Sequence, residues 1–207
     1  MAQIKLTKNE LRDQQHKLGQ LERYLPTLQL KKALLQSEVN TCDLQLEELE
    51  KVAADRPDYL ARSQKLLTHA DISDLYDSIH IETVDTSIEN IAGVEVPIFQ
   101  GVTYKPPTYS LFSTPLWLDS MVKATQDLIT TLEEIKTLEE KRRLLAKELR
   151  DVSIRVNLFE KILIPRTLGN IKKIKIFLGD QQLSAVAQAK VAKTKIEARK
   201  HKAAAYA

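Results

Sequence analysis

Apolar residues recur at alternating spacings of three and four along the first third of the chain. Counted in sevens, one set comprises Leu11, Leu18, Leu25, Val39, Leu46, Ala53, Leu60 and Leu67, and the interleaved set comprises Leu21, Leu28, Leu35, Cys42 and Leu49. Gln14, Lys32 and Arg56 interrupt these sets without shifting them. Such spacing keeps one narrow apolar stripe along a helix, as a coiled-coil seam requires. The pattern predicts a first helix over about residues 8–77.

Local signals mark the start of this helix and two points where it bends. Thr7 and Glu10 have the spacing of a capping box, in which each side chain satisfies a free backbone N–H of the first turn. Pro26 and Pro57 each remove one backbone hydrogen bond. Because the heptad register continues across Pro26, we expect a kink there and no break.

A second helix is predicted over about residues 115–202, opening with the hydroxyl cap and proline of Ser113–Pro115. Its seam comprises Leu128, Ile135, Leu138, Leu145, Leu149, Val152, Val156, Phe159 and Leu163, and continues more loosely through Leu168, Ile171, Ile174 and Leu178. Arg142 occupies one seam position, where a polar residue helps to fix register.

The connector between the helices, about residues 79–114, has no heptads. Prolines, glycines and β-branched residues mark short strands joined by turns, in the segments GVEVPIF and VTYKPP. These features predict a β-hairpin knob. A small-molecule site is disfavoured there, because the connector has no cluster of His, Asp or Glu.

Together these elements predict an all-α fold, a long antiparallel two-helix coiled coil with a short β-hairpin knob in its connector. We expect residues 1–207 to form a single elongated module, on the order of 100 Å long at 1.5 Å per helical residue. The composition agrees, because only 5% of residues are aromatic, 5 are glycine and 29% are charged.

The sequence favours a cytoplasmic chain without direct membrane insertion. It has no apolar run of the roughly 18 residues that a membrane span needs, and no apolar stretch near its N-terminus typical of a signal peptide. The lone Cys42 fits a reducing compartment.

Charge is distributed unevenly along the chain. From Arg166 onward the chain has ten Lys and Arg residues and two acidic residues, for a net charge of +8, whereas the rest of the chain has a net charge of −5. A basic end suits nucleic acid, an anionic membrane or an acidic protein partner, and charge alone does not choose among them. Residues 185–207 are rich in alanine and lysine, so we expect this end to need a partner.

No residues form a recognisable catalytic, metal or cofactor site. The four histidines are scattered without i, i+3 or i, i+4 partners, and no phosphate-binding loop or nucleophile motif occurs. Lys141, Arg142 and Arg143 suit either a phosphate patch or a solvated face with one register-fixing residue. We therefore expect a chain that is not an enzyme and binds no cofactor.

Three blocks resemble the D subunit of the V-type ATPases. They are TKNEL at residues 7–11 with LPTLQLKKALL at 25–35, IENIAGVEVP at 88–97, and RVNLFEKILIP at 155–165. The resemblance implies a non-catalytic central shaft that transmits torque between ATP turnover in the head and the ion-translocating membrane ring. It implies as partners the catalytic and regulatory head subunits, the F subunit and the socket subunit of the ring, with the chain peripheral to the membrane.

Two sites follow from this resemblance. Lys190, Lys193, Lys195 and Arg199 are candidates for contact with the head, and Pro165 is a candidate kink in the shaft. The alternatives are a coiled-coil scaffold or tether unrelated to ATPases, and a nucleic-acid-binding coiled coil. The three blocks disfavour both.

Overall fold

The protein is described by a computed structural model that covers residues 5–55, 76, 78–106 and 116–205. These residues form helix α1 (Lys8–Asp55), strands β1 (Ile81–Ile91) and β2 (Val94–Tyr104), helix α2 (Leu116–Leu158), a π-helical turn (Phe159–Leu163) and helix α3 (Ile164–Ala205). The predicted helical fold with one hairpin is confirmed. The predicted end of the first helix, with Pro57, and the cap at Ser113–Pro115 lie outside the described residues.

Helix α1 begins at the predicted cap and continues through Pro26. The Glu10 backbone N–H donates to the Thr7 hydroxyl at 3.3 Å, and Leu11 N–H donates to the Thr7 carbonyl at 3.0 Å. The Glu10 carboxylate instead accepts a hydrogen bond from the Gln14 side chain at 2.9 Å. Half of the capping box is therefore formed.

Every predicted apolar seam residue of α1 within residues 11–53 is buried or half-buried, as is every apolar seam residue of the second helix from Leu128 to Leu163, whereas the polar seam residue Arg142 is exposed. The buried seam residues of these stretches are Leu21, Leu35, Val39, Cys42, Leu46, Leu145, Val152 and Val156. Their side chains leave water as the stripe on each helix is covered, which stabilises the fold by roughly 1.5–3 kcal/mol for each fully buried apolar side chain.

The chain divides into two compact units, Leu30–Ser153 and a second made of Met1–Gln29 with Ile154–Ala207. Within the first unit, α1 and α2 run antiparallel. Lys31 Nζ lies 2.7 Å from the Glu148 carboxylate, and Asp43 forms an ion pair with Arg142, so the partner's number falls as the α1 number rises. Within the second unit, the buried apolar side chains are Leu21, Val156, Ile171 and Ile174.

Strands β1 and β2 form the predicted hairpin, paired antiparallel with Ile91 opposite Val94. The two residues between the strands, Ala92 and Gly93, both have positive φ, 53° and 84°. This is the backbone of a type I′ turn, whose twist matches that of the strands. Asn90 supports the turn, because its side-chain oxygen accepts a hydrogen bond from Gly93 N–H at 2.8 Å.

The base of the hairpin is anchored to α2. The Tyr104 hydroxyl donates to the Gln126 carbonyl at 2.7 Å and lies 2.8 Å from the Thr130 hydroxyl. The Gln126 side chain in turn donates to the Ser78 carbonyl at 2.8 Å. An apolar cluster beside these bonds comprises Leu118, Met121 and Val122, with Ile79 and Trp117 packed against it.

Leu35→Ala should lower the free energy of unfolding by about 2–5 kcal/mol, because Leu35 is fully buried and its loss leaves a cavity in the seam. Leu30→Ala is the matched control on the same helix, since Leu30 is 72% exposed and should change stability by about 0.5 kcal/mol or less. Urea denaturation followed by circular dichroism at 222 nm measures both. Equal effects would contradict this position of the seam.

Ala92→Gly should stabilise the hairpin by about 1 kcal/mol, because a side chain at positive φ costs roughly 1–2 kcal/mol. Gly93→Ala should destabilise it to a similar extent. Hydrogen exchange of the amides in β1 and β2 reports the change locally. If Ala92→Gly accelerates exchange there, the turn does not hold this conformation.

Candidate functional site

Pro165 is the second residue of α3 and directly follows the π-helical turn. The Ile164 N–H donates to the carbonyl of Phe159, five residues earlier. In an α-helix Pro165 lacks the N–H that would bond to the carbonyl of Lys161, and its ring clashes with that carbonyl. Hydrogen bonds that span five residues relieve both problems, so the helix continues through Pro165. The predicted bend at Pro165 stays a prediction.

One prediction about the seam of α3 is wrong. Leu168 is 48% exposed, whereas Thr167 beside it is only 4% exposed. The buried Thr167 hydroxyl is satisfied, because it donates a hydrogen bond to the Leu163 carbonyl at 2.7 Å. Heptad counting from Val152 leads to Arg166 and misses Thr167, because it assumes α-helical geometry throughout and does not include the π-helical turn.

The C-terminal part of α3 exposes its side chains all round, since every residue from 181 to 199 is exposed. The structure does not bring the four candidate basic residues onto one face. At 100° per residue, Lys190 and Lys193 lie on one side of the helix, and Lys195 and Arg199 lie on the opposite side. These residues therefore form two basic faces on opposite sides of the helix.

Two residues of the basic run at 141–143 form ion pairs with nearby acids. Arg142 pairs with Asp43 of α1, and Arg143 donates two hydrogen bonds to Glu140, at 2.5 and 2.9 Å. The hydrogen bond from Arg143 lowers the pKa of Glu140. These contacts favour a register-fixing role for Arg142 over a phosphate patch.

Cys42 is a seam residue that is only 1% exposed. Burial raises the pKa of the Cys42 thiol most; the charge of Lys141 lowers this pKa to a smaller extent, and the charge of Glu38 raises it. A raised pKa leaves little thiolate at neutral pH, so Cys42 acts as a small apolar residue.

An open groove of about 480 Å³ lies between the hairpin and the two helices of the Leu30–Ser153 unit. Its apolar lining includes Leu49, Val52, Phe99 and Leu138, and its charged lining includes Glu48, Glu134 and Lys141. Among the described residues, no group of three or more His, Cys, Asp or Glu is placed to hold a metal ion. No helix in the described ranges is long and apolar enough to span a membrane.

Comparison with known proteins decides the family. The family described as the D subunit of ATP synthase matches residues 10–194. The chain is 44% identical over 206 residues to the V-type ATP synthase D subunit of Chlamydia pneumoniae, covering 96% of each chain. It is 45% identical over 202 residues to that of Chlamydia muridarum, covering 96% of this chain and 98% of the relative. The chain belongs to the ATP synthase D-subunit family.

Membership in the D-subunit family confirms the resemblance that the three sequence blocks indicate. It makes the chain a subunit of V-type ATP synthase, and it disfavours an unrelated coiled-coil scaffold. Sequence reasoning singled out the basic end of α3 and Pro165 from residue type, and the resemblance supplied their expected roles. It missed the π-helical turn and the groove beside the hairpin, because neither leaves a signal in periodicity or composition.

The ion pair between Lys31 and Glu148 should contribute about 0.5–1 kcal/mol, because both side chains are partly shielded from water. Lys31→Glu alone places two carboxylates together and should destabilise the chain by more than this. Adding Glu148→Lys should restore most of the lost stability. Urea denaturation at low and high salt measures the free energy of unfolding of the two single variants and the double variant. Additive effects of the two substitutions would show that the pair does not set helix register.

Proposed function

We propose that this chain is the non-catalytic central shaft of a V-type ATP synthase and transmits torque between ATP turnover in the head and the ion-translocating membrane ring. Family membership makes it part of the complex. The observation that carries the shaft role is the exposed helix at residues 181–199, which offers its whole circumference to a surrounding partner. In this proposal residues 1–207 act as one elongated module.

A shaft must resist twisting, and the antiparallel pairing of α1 and α2 supplies that resistance. Fully buried Leu35 and Leu145 belong to a continuous apolar seam, and the ion pairs of Lys31 and Arg142 cross between the helices. Two helices that interlock along a seam cannot rotate about their own axes without unpacking it. Because the two helices differ in sequence, the shaft also presents different surfaces to chemically equivalent sites in the head.

The basic end of α3 is the part that enters the head in this proposal. Lys190 and Lys193 lie on one side of the helix and Lys195 and Arg199 lie on the other, so acidic loops on two opposite sides of a sleeve meet positive charge. These attractions set the preferred dwell angles of the shaft against the catalytic and regulatory subunits. The same charges suit a protein partner and require no nucleic acid.

The hairpin end of the Leu30–Ser153 unit is the proposed place for the F subunit. The groove beside the hairpin combines apolar residues such as Leu49 and Phe99 with the charged Glu134 and Lys141, a composition that suits a protein surface. The socket subunit of the ring is the further partner at the membrane side. The chain is then cytoplasmic and peripheral to the membrane.

The shaft role is tested by the ATPase activity of the isolated head with and without this chain and its F subunit. We expect one copy of the chain to co-elute with each head in gel filtration and to change sustained turnover. Failure to associate with a competent head from the same organism would overturn the proposal. A free coiled coil that tethers other proteins would then be the better hypothesis.

Reversing Lys190, Lys193, Lys195 and Arg199 to Glu should weaken head binding at least tenfold, about 1.4 kcal/mol, because four attractions become repulsions. The matched control reverses four exposed bases on α2 and changes the net charge equally; these are Lys123, Lys136, Lys147 and Arg150. Co-elution and ATP turnover measure both. If the four substitutions in the basic end leave head binding unchanged, the basic end does not make this contact.

A further inference from the structure

The hairpin has two outer edges, and they differ in what their backbone offers to another chain. Ile91 and Val94 flank the two-residue turn, so they form a hydrogen-bonded pair, and every second pair along the strands does the same. In the pairs between them, the backbone N–H and C=O groups point away from the partner strand. These outward residues are Thr86, Ile88 and Asn90 on β1, and Glu95, Pro97 and Phe99 on β2.

Of these two edges, the β1 edge is the open one. Pro97 has no N–H, so the outer edge of β2 lacks a donor at its centre. The groove described above also lies on the β2 side, since its hairpin lining is Pro97, Ile98 and Phe99. β1 contains neither proline nor lysine, which commonly block an edge. Outside helices and strand pairs, the described residues form backbone hydrogen bonds only at Leu11 and Lys105, so none of them closes this edge.

The part of β1 that can accept a further strand is short. The register shifts at two points between Ile81 and Thr86, and such irregularities bend a strand and interrupt its edge. From Thr86 to Ile91 the pairing is regular. Ile88 lies in the middle of this stretch, and its side chain is 75% exposed. A strand added here would remove part of this apolar surface from water, which favours binding.

The charge of the hairpin indicates the chemistry of its partner. Residues 81–104 contain no Lys, Arg or His, and their four acids are all exposed; these are Glu82, Asp85, Glu89 and Glu95. Three of the four lie on β1. A second copy of the chain would bring like charges together across a shared β1 edge, which is destabilising. An extended segment rich in Lys and Arg would instead meet opposite charges.

We propose that the outer edge of β1 at residues 86–90 binds an extended basic segment of another subunit of the V-type ATP synthase as a third strand. The backbone groups of Thr86, Ile88 and Asn90 supply the hydrogen bonds, and the acids of the hairpin select Lys and Arg side chains. The groove on the β2 side stays free for the F subunit. The inference rests on membership in the complex. Because a strand ladder fixes two chains to each other, in the shaft proposal this subunit turns together with the shaft.

Hydrogen exchange of the unmodified chain, alone and in the assembled complex, tests the third strand. In the chain alone, the outward amides of Thr86, Ile88 and Asn90 should exchange faster than those of Ser87 and Glu89, which bond to β2. Assembly should slow exchange of the outward amides about tenfold or more, because they gain hydrogen-bond partners. Unchanged exchange on assembly would overturn the proposal. Protection in the chain alone that rises with its concentration would also overturn it, since a second copy would then be the occupant.

Two substitutions at one position separate a strand from other forms of cover. Ile88→Pro removes an outward N–H that an edge strand does not need, and Ile88→Ala keeps it. Slow exchange at Glu89 and Ile91 shows that each variant retains the hairpin. In the assembled complex, Ile88→Pro should return the amides of Thr86 and Asn90 to their rates in the chain alone. Ile88→Ala should keep about tenfold protection there. Equal protection in the two variants would reject the strand ladder.

The charge of the partner is tested without a change in the backbone. Glu82→Gln, Asp85→Asn and Glu89→Gln together keep the shape of β1 and remove its charge. We expect them to reduce the protection of the outward amides on assembly about tenfold, because the attraction to Lys and Arg is lost. The control neutralises three exposed acids on α1 and α2 and should leave this protection unchanged; these are Glu50, Glu139 and Asp151. Equal protection in both sets would reject a basic partner.

The third strand and the shaft fail in different ways in these experiments. Loss of edge protection in Ile88→Pro with unchanged head binding and turnover supports the third strand and leaves the shaft role standing. Edge protection by a partner, together with no effect of the chain on ATP turnover in the head, would reject the shaft and leave the third strand standing. Outward amides that stay unprotected in a complex with altered turnover would reject the third strand alone.

Discussion

The apolar seam between paired helices is the contact on which the other features depend. An isolated helix of this composition leaves its apolar stripe in water, so α1 and α2 gain stability only by covering each other's stripes. Fully buried Leu35 and Leu145 occupy such positions, and Cys42 is nearly as buried. Because the seam is narrow, most remaining side chains stay in water, which leaves a charged outer surface on a stiff element.

Polar contacts beside the seam determine which residues meet across it. Apolar side chains pack almost as well after a shift of one heptad, whereas the pairs of Lys31 with Glu148 and of Asp43 with Arg142 form in one register. Their net contribution to stability is small because all four side chains are partly solvated. Their effect is selective: each alternative register separates opposite charges or brings like charges together.

Two local backbone features, the hairpin turn and the π turn, have different chemical origins. The hairpin needs two residues with positive φ in succession, and the chain supplies Ala92 and Gly93 with support from Asn90. The π turn meets the requirements of Pro165 and of the seam at once, since one inserted residue removes the proline clash and keeps Ile171 and Ile174 directed inward. Both sites accept a local backbone cost because the packing around them requires it.

The sequence by itself determined the two helices, the hairpin and the seam as far as Leu163, because the repeat of three and four follows directly from α-helical geometry. It also indicated the basic end and Pro165, which depend only on residue type. The tertiary structure decided that Thr167 replaces Leu168 on the seam, that Arg142 meets Asp43, and that a groove opens beside the hairpin. These features depend on hydrogen bonds that span five residues and on contacts between distant segments, and counting residues along one chain registers neither.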